Sequence, residues 1–86
     1  MIEQIHERVN VLAVFDWEIE NIIIHKVRWN GRVYHVNKMG YQYKQRIGRN
    51  FIHIFHVSNE RIHFKLHFDT EHLAWYIMEV SDGNAN

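Results

Sequence analysis

Histidines and a basic, tyrosine-bearing run are the side chains of this sequence best placed to do chemistry. Four of the eight histidines, His53, His56, His63 and His67, fall within residues 51–68, FIHIFHVSNERIHFKLHF. A hairpin centred on Asn59-Glu60 would set His56 directly across from His63 on the outward face. Cross-strand Cβ atoms in such a pair stand about 5 Å apart, close enough to share a metal ion. Zinc asks for three or four ligands, however. His67 lies roughly 13 Å along the same strand by strand rise, too far to join them. Only Glu60 offers a carboxylate nearby, and no HExxH or HxH motif occurs. Solvated surface histidines are therefore expected, with no metal site and no cofactor. On the same count His25 and His53 point inward and read as neutral, hydrogen-bonded core histidines.

Covalent catalysis has little to work with. Ser58 falls in a turn, Ser81 falls near the end, and cysteine is absent, so the usual nucleophile-and-base pairs are nearly exhausted. The carboxylates sit mainly at turns and ends, and the scattered glycines form no phosphate-cradling loop. The expectation is a protein that is not an enzyme.

Charge is more informative. The net formal charge is zero, but between Asn21 and Asn59 there is no Asp or Glu. That segment holds Lys26, Arg28, Arg32, Lys38, Lys44, Arg46 and Arg49, and the acids cluster on either side of it. Basic residues contact phosphates, and exposed aromatic rings stack on unpaired bases. Lys26, Arg28, Lys38, Tyr41, Tyr43, Lys44, Arg46 and Arg49 thus make a candidate nucleic-acid-binding set. The competing expectation is a solvated face balanced by acids elsewhere, with Tyr41 and Tyr43 as core or edge plugs. A second functional candidate is a structural or protein-interaction domain working as a homodimer. Opposite charge blocks favour such pairing, and Ile52, Ile54, Tyr76 and Met78 form an apolar patch opposite the predicted core. That patch must be covered by the first strand, by the long loop or by a partner.

The elements that would position these residues are strands. Residues 9–15, VNVLAVF, read as a first strand, apolar on both faces; residues 1–8 suggest a short helical turn or a disordered start. Residues 22–29 and 32–38 flank Asn30-Gly31, the sequence of a type I′ turn, since both its central residues need positive φ. This hairpin pairs Trp29 with Arg32, Val27 with Tyr34 and His25 with Val36. Residues 39–50 read as a long loop. The histidine hairpin then pairs Val57 with Ile62, Phe55 with Phe64, His53 with Leu66 and Phe51 with Phe68. A polar turn at 69–72 leads to a last strand, 73–80, which pairs Leu73 with Phe68. Residues 81–86 read as a polar tail. The expected fold is all-β: about six antiparallel strands in a meander, forming a small barrel or a strongly curved sheet. One domain over residues 1–86, with its ordered core about 9–80, suits this length.

No stretch approaches the ~18 apolar residues of a membrane span, and the start lacks a signal-peptide pattern. With no cysteine as well, the expectation is a cytoplasmic protein without a membrane partner.

The run Val27-Arg28-Trp29-Asn30-Gly31-Arg32-Val33-Tyr34-His35-Val36 resembles the W-x-G-R-x-Y-x-V opening of a family of small uncharacterised bacterial all-β domains. Their later F-x-L-x-F-D and W-x-(x)-x-x-V patterns are similar to Phe64–Asp69 and Trp75–Val80. The resemblance covers roughly residues 22–80. This chain lacks the tryptophan that often follows the first hairpin in those domains; Tyr41 or Tyr43 would stand there instead. Some of the domains occur near translesion DNA polymerases. The resemblance implies a β fold and a DNA-repair protein as a partner, and it transfers no catalytic residue.

Overall fold

Alternating apolar residues run almost from the first residue of this chain to the end of its core. In the computed structural model, which describes residues 1–82, nearly all of it is strand. There are seven strands and no helix among the described residues: β1 (Ile2–Asp16), β2 (Asn21–Trp29), β3 (Arg32–His35), β4 (Lys38–Ile47), β5 (Asn50–Ser58), β6 (Ile62–Asp69) and β7 (Ala74–Asp82). They make one antiparallel sheet in the order β3-β2-β1-β7-β6-β5-β4. The all-β, antiparallel expectation holds, with seven strands instead of six.

β1 is the pivot. Its first half, Ile2–Val9, pairs with β7, and its second half, Asn10–Asp16, pairs with β2. One long strand therefore serves two ladders, which is why residues 2–8 are strand and not the short helix or disordered start expected over 1–8. The sheet folds over about this strand. Trp29 of β2 and Tyr34 of β3 set their rings against Phe64 of β6 at centroid distances of 6.1 and 5.3 Å. Between them lies the core of Ile24, Val27, Phe55, Val57, Phe64, Leu66, Ile77 and Val80. Each of its larger side chains contributes roughly 1.5–3 kcal/mol by leaving water.

No ladder joins the edge strands β3 and β4, so the sheet is not closed into a barrel. A two-residue link, Val36-Asn37, spans the gap. Val36 N donates to His25 O at 2.9 Å and Asn37 N donates to Ser58 O at 3.1 Å.

Four β-bulges separate the observed registers from ideal ones. Each inserts one extra residue and strengthens local twist. In β2 the extra residue opposite Leu12/Ala13 is His25. The alternation slips there, so Ile24 is buried and His25 is exposed. The inward placement expected of His25 is therefore wrong. In β7 the extra residue is Met78, which carries Val80 to the core side instead of the outer side.

Both later hairpins pair two residues away from the expected register. Val57 faces Phe64 and Phe55 faces Leu66, while Phe68 faces Trp75. The β5–β6 turn is longer than a two-residue turn because Asn59 Oδ1 accepts hydrogen bonds from both Arg61 N and Ile62 N, at 2.8 and 3.0 Å. A shift of two preserves side-chain faces. The core face thus survives the change, although Phe51 at its far end is 46% exposed.

The expected loop over 39–50 is instead β4, the tight Gly48 turn and the start of β5. Of the polar tail expected over 81–86, Ser81 and Asp82 continue β7; residues 83–86 lie outside the described residues.

Candidate functional site

Strand alternation divides the polar side chains between the core side and the outer side of the sheet. On the outer side of β5 lie Ile52, Ile54, His56 and Ser58, and on that of β6 lie His63, Lys65, His67 and Asp69. Ladder pairing then brings Tyr43 of β4 beside Ile54, Tyr76 of β7 beside His67, and Arg8 of β1 beside Tyr76. Ile52 and Ile54 are buried here. The other two members of the patch, Tyr76 and Met78, are half-buried.

Two aromatic groups stand on this face. In the first, the Tyr41 and Tyr43 rings meet at 5.6 Å, and Tyr43 stacks on His56 at 6.3 Å with 27° between planes. Tyr41, two residues before Tyr43 and so on the same face, lies 6.3 Å from the same imidazole, beside the β4 bulge between Met39 and Gln42. Gly40 makes that bulge tolerable: a Cβ on it would lie 3.2 Å from His56 O. In the second, His6 packs on Tyr76 at 4.9 Å and the Arg8 guanidinium lies 5.7 Å from the same ring centroid. Such contacts hold rings at a fixed tilt and add a modest cation–π term.

The carboxylates of this part of the face are already engaged. Glu79 pairs with Lys65 at 3.5 Å. Asp69 accepts from the amides of Glu71 and His72 and pairs with His72 Nδ1 at 2.8 Å. That contact holds the Asp69 carboxyl below its usual range and raises the imidazole of His72. Burial, then the charge of Lys65, lowers both His56 and His67. Burial, then Lys44, lowers His53.

The expected site is divided by this arrangement. Lys38, Tyr41 and Tyr43 lie on the same outer side as Arg8, Lys65 and Tyr76, with β4 and β1 at opposite ends of a run of five strands. Lys26 and Arg28 are also on the outer side, but on the β1-β2-β3 part, beside Leu12, Asn10 and Val33. Lys44 and Arg46 point to the core side of β4. There they flank the exposed Phe51 ring at 5.5 and 5.9 Å. Arg49 lies in the β4–β5 turn. The expected His56–His63 pair does not form: His56 faces Lys65 and His63 faces Ser58. No group of three or more metal-ligating side chains with metal-site geometry occurs among the described residues.

Arg8, His6, Lys65 and Tyr76 are additions that the linear charge block does not reveal. Alternation in β6 already turns Lys65 outward. The rest depends on β1 lying beside β7, a pairing of distant segments that leaves no local mark in the sequence.

Comparison with protein-family models, with curated proteins and with solved structures finds no match. No helix among the described residues is long and apolar enough to cross a membrane.

Proposed function

We propose that this protein is a non-enzymatic binding module that contacts single-stranded nucleic acid through the outer face of β4, β5, β6, β7 and the first half of β1. The observation that carries this reading is the alternation of rings and cations across that face. Tyr41 and Tyr43 group with His56, which lines one cleft with Lys38, and Tyr76 packs against both His6 and Arg8. Exposed rings offer π-faces to unpaired bases, and the cations track the backbone. Tyr41 is 75% and Tyr43 39% exposed, so both are open to a base. The resemblance to domains found near translesion polymerases agrees with a partner of this kind.

A fluorescence titration with labelled single-stranded DNA and RNA at two salt concentrations tests the proposal. Binding is expected to weaken as salt rises, because phosphate contacts release counterions. Tyr43→Ala and Arg8→Ala should each weaken it, the former by about 1–3 kcal/mol if a base stacks there. Lys44→Ala, on the opposite side of the sheet, should leave it unchanged. No salt-dependent binding at about tens of micromolar protein overturns the reading.

A second reading, the homodimer, rests on a different observation from the patch expected above. The β1–β2 turn exposes Phe15, Trp17 and Ile19 among Asp16, Glu18 and Glu20. This acidic, apolar tip complements the group of Lys44 and Arg46 on β4 and Phe51 on β5 of a second copy. Light scattering decides it: a dimer or larger species that Trp17→Ser dissociates supports this mode, and a monomer at high concentration removes it.

A further inference from the structure

At one end of the proposed binding face is a cleft of about 360 Å³. That volume falls at the lower end of the range for small-ligand sites. Its polar lining comes from Lys38, His56, Ser58, His63, Lys65 and Ser81. Glu79 is its one carboxylate, and Lys65 already pairs with it at 3.5 Å. Lys38 has no carboxylate partner among the described residues. The lining therefore offers hydroxyls, imidazoles and an uncommitted ammonium, which is the donor set of an anion site.

Two details of the backbone tie this cleft to the aromatic group. Gly40 lines it where the β4 bulge passes close to His56 O, at a distance that a Cβ would crowd. Tyr41, the next residue of that bulge, has its ring 6.3 Å from His56. His56 then belongs to both sites: it borders the cleft, and its ring stacks on Tyr43. An anion in the cleft would have an aromatic shelf beside it, separated by a single imidazole.

We infer that the cleft receives a phosphate monoester, held by Lys38 and His63, whose attached nucleoside lays its base against Tyr41 and Tyr43. This rests on the nucleic-acid reading of the face and specifies which part of the strand sits at its end. A monoester carries about −1.5 to −2 charges near neutral pH and three terminal oxygens. An internal diester carries a single charge and must leave the site in both directions along the chain. A cleft at one end of the face, rich in donors, suits the terminal group better.

The test compares three labelled oligonucleotides of one sequence: 5′-phosphorylated, 3′-phosphorylated and unphosphorylated. Inorganic phosphate and a nucleoside monophosphate serve as competitors, and the imidazole resonances of His56 and His63 are followed by NMR. One phosphorylated end is expected to bind about tenfold tighter than the plain strand. His63→Gln, at a residue outside the ring-and-cation group of the face, should remove most of that preference and keep the salt-dependent binding of the plain strand. Equal binding of all three strands, with salt dependence intact, overturns the cleft assignment and leaves the face reading standing. No strand binding, but His56 and His63 shifts with the nucleoside monophosphate, sinks the face reading and assigns the cleft to free nucleotides. Silence in both measurements removes both.

Discussion

At His67 the outer face buries an imidazole nitrogen, Nε2, that has no hydrogen-bond partner among the described residues. An unpaired buried polar atom costs about 1–3 kcal/mol. Burial lowers the pKa of this ring first of all, and the charges of Lys65 and His6 add to the effect. His53 and His56 are lowered as well. For all three the unfolded chain binds a proton more readily than the folded one. Stability is therefore full above their ordinary value of about 6.5 and falls as pH drops below it. His72 acts in the opposite sense, since its raised pKa supports the folded state below about 6.5 and that support is lost at higher pH. It is fully exposed, so its contact with Asp69 is screened by solvent. The expected outcome is a urea midpoint that declines on acidification from neutral pH. His67→Phe should raise stability by about 1 kcal/mol at neutral pH and flatten that decline. A midpoint independent of pH over this window would contradict the account.

Elements were legible in the sequence where side-chain type and turn chemistry agree. Asn30-Gly31 gave the β2–β3 register correctly, and both residues have positive φ. Phe55, Val57, Phe64 and Leu66 fall on the core side as expected although their partners differ, because a slip of two residues keeps the face. Bulges could not be read in this way. One extra residue such as His25 or Met78 changes no composition, yet it moves Ile24 or Val80 across the sheet. Residues 39–50 read as a loop in the sequence because an exposed edge strand such as β4 needs no apolar stripe. Its lysines, its arginine and its bulge are what keep an open edge from pairing indiscriminately. The importance of Asn59 was also hidden, since one of its partners lies across the molecule. Its Oδ1 caps the β5–β6 turn, while its Nδ2 donates to His35 O at 2.9 Å, at the end of β3. Asn59→Ala should cost about 1–2 kcal/mol in urea unfolding. Asn59→Asp, which keeps the turn acceptor and loses the donor to β3, should fall between that variant and the parent.

At the scale of the whole molecule, the charge pattern legible in the sequence becomes a difference between surfaces. The cationic block of residues 21–59 is split by the sheet. Lys38 joins Arg8 and Lys65 on the outer side, while Lys44 and Arg46 turn to the core side around Phe51. The candidate site was thus half legible. Tyr41, Tyr43 and Lys38 were in view, while Arg8 and Tyr76 depended on which strands meet in the middle of the sheet. Among the described residues, that meeting is the only ladder not made by consecutive strands.

The β1–β7 ladder has a topological corollary. Ile2 lies opposite Ser81, and the Met1 amino group is 3.9 Å from Asp82 Oδ1. A circular permutant opened at Val36-Asn37, with residue 82 joined to residue 2 by a short linker, would run β4, β5, β6, β7, β1, β2, β3. That is the spatial order of the sheet itself, so every ladder would become a hairpin between successive strands. Contact order falls, and loop-closure entropy is no longer lost in bringing the chain ends together. The permutant should refold faster than the parent in stopped-flow measurements. Its equilibrium stability should drop only by what the Val36 and Asn37 backbone hydrogen bonds contribute, about 1–3 kcal/mol. A permutant that refolds no faster would mean that β1 and β7 are not the slow pairing in this fold.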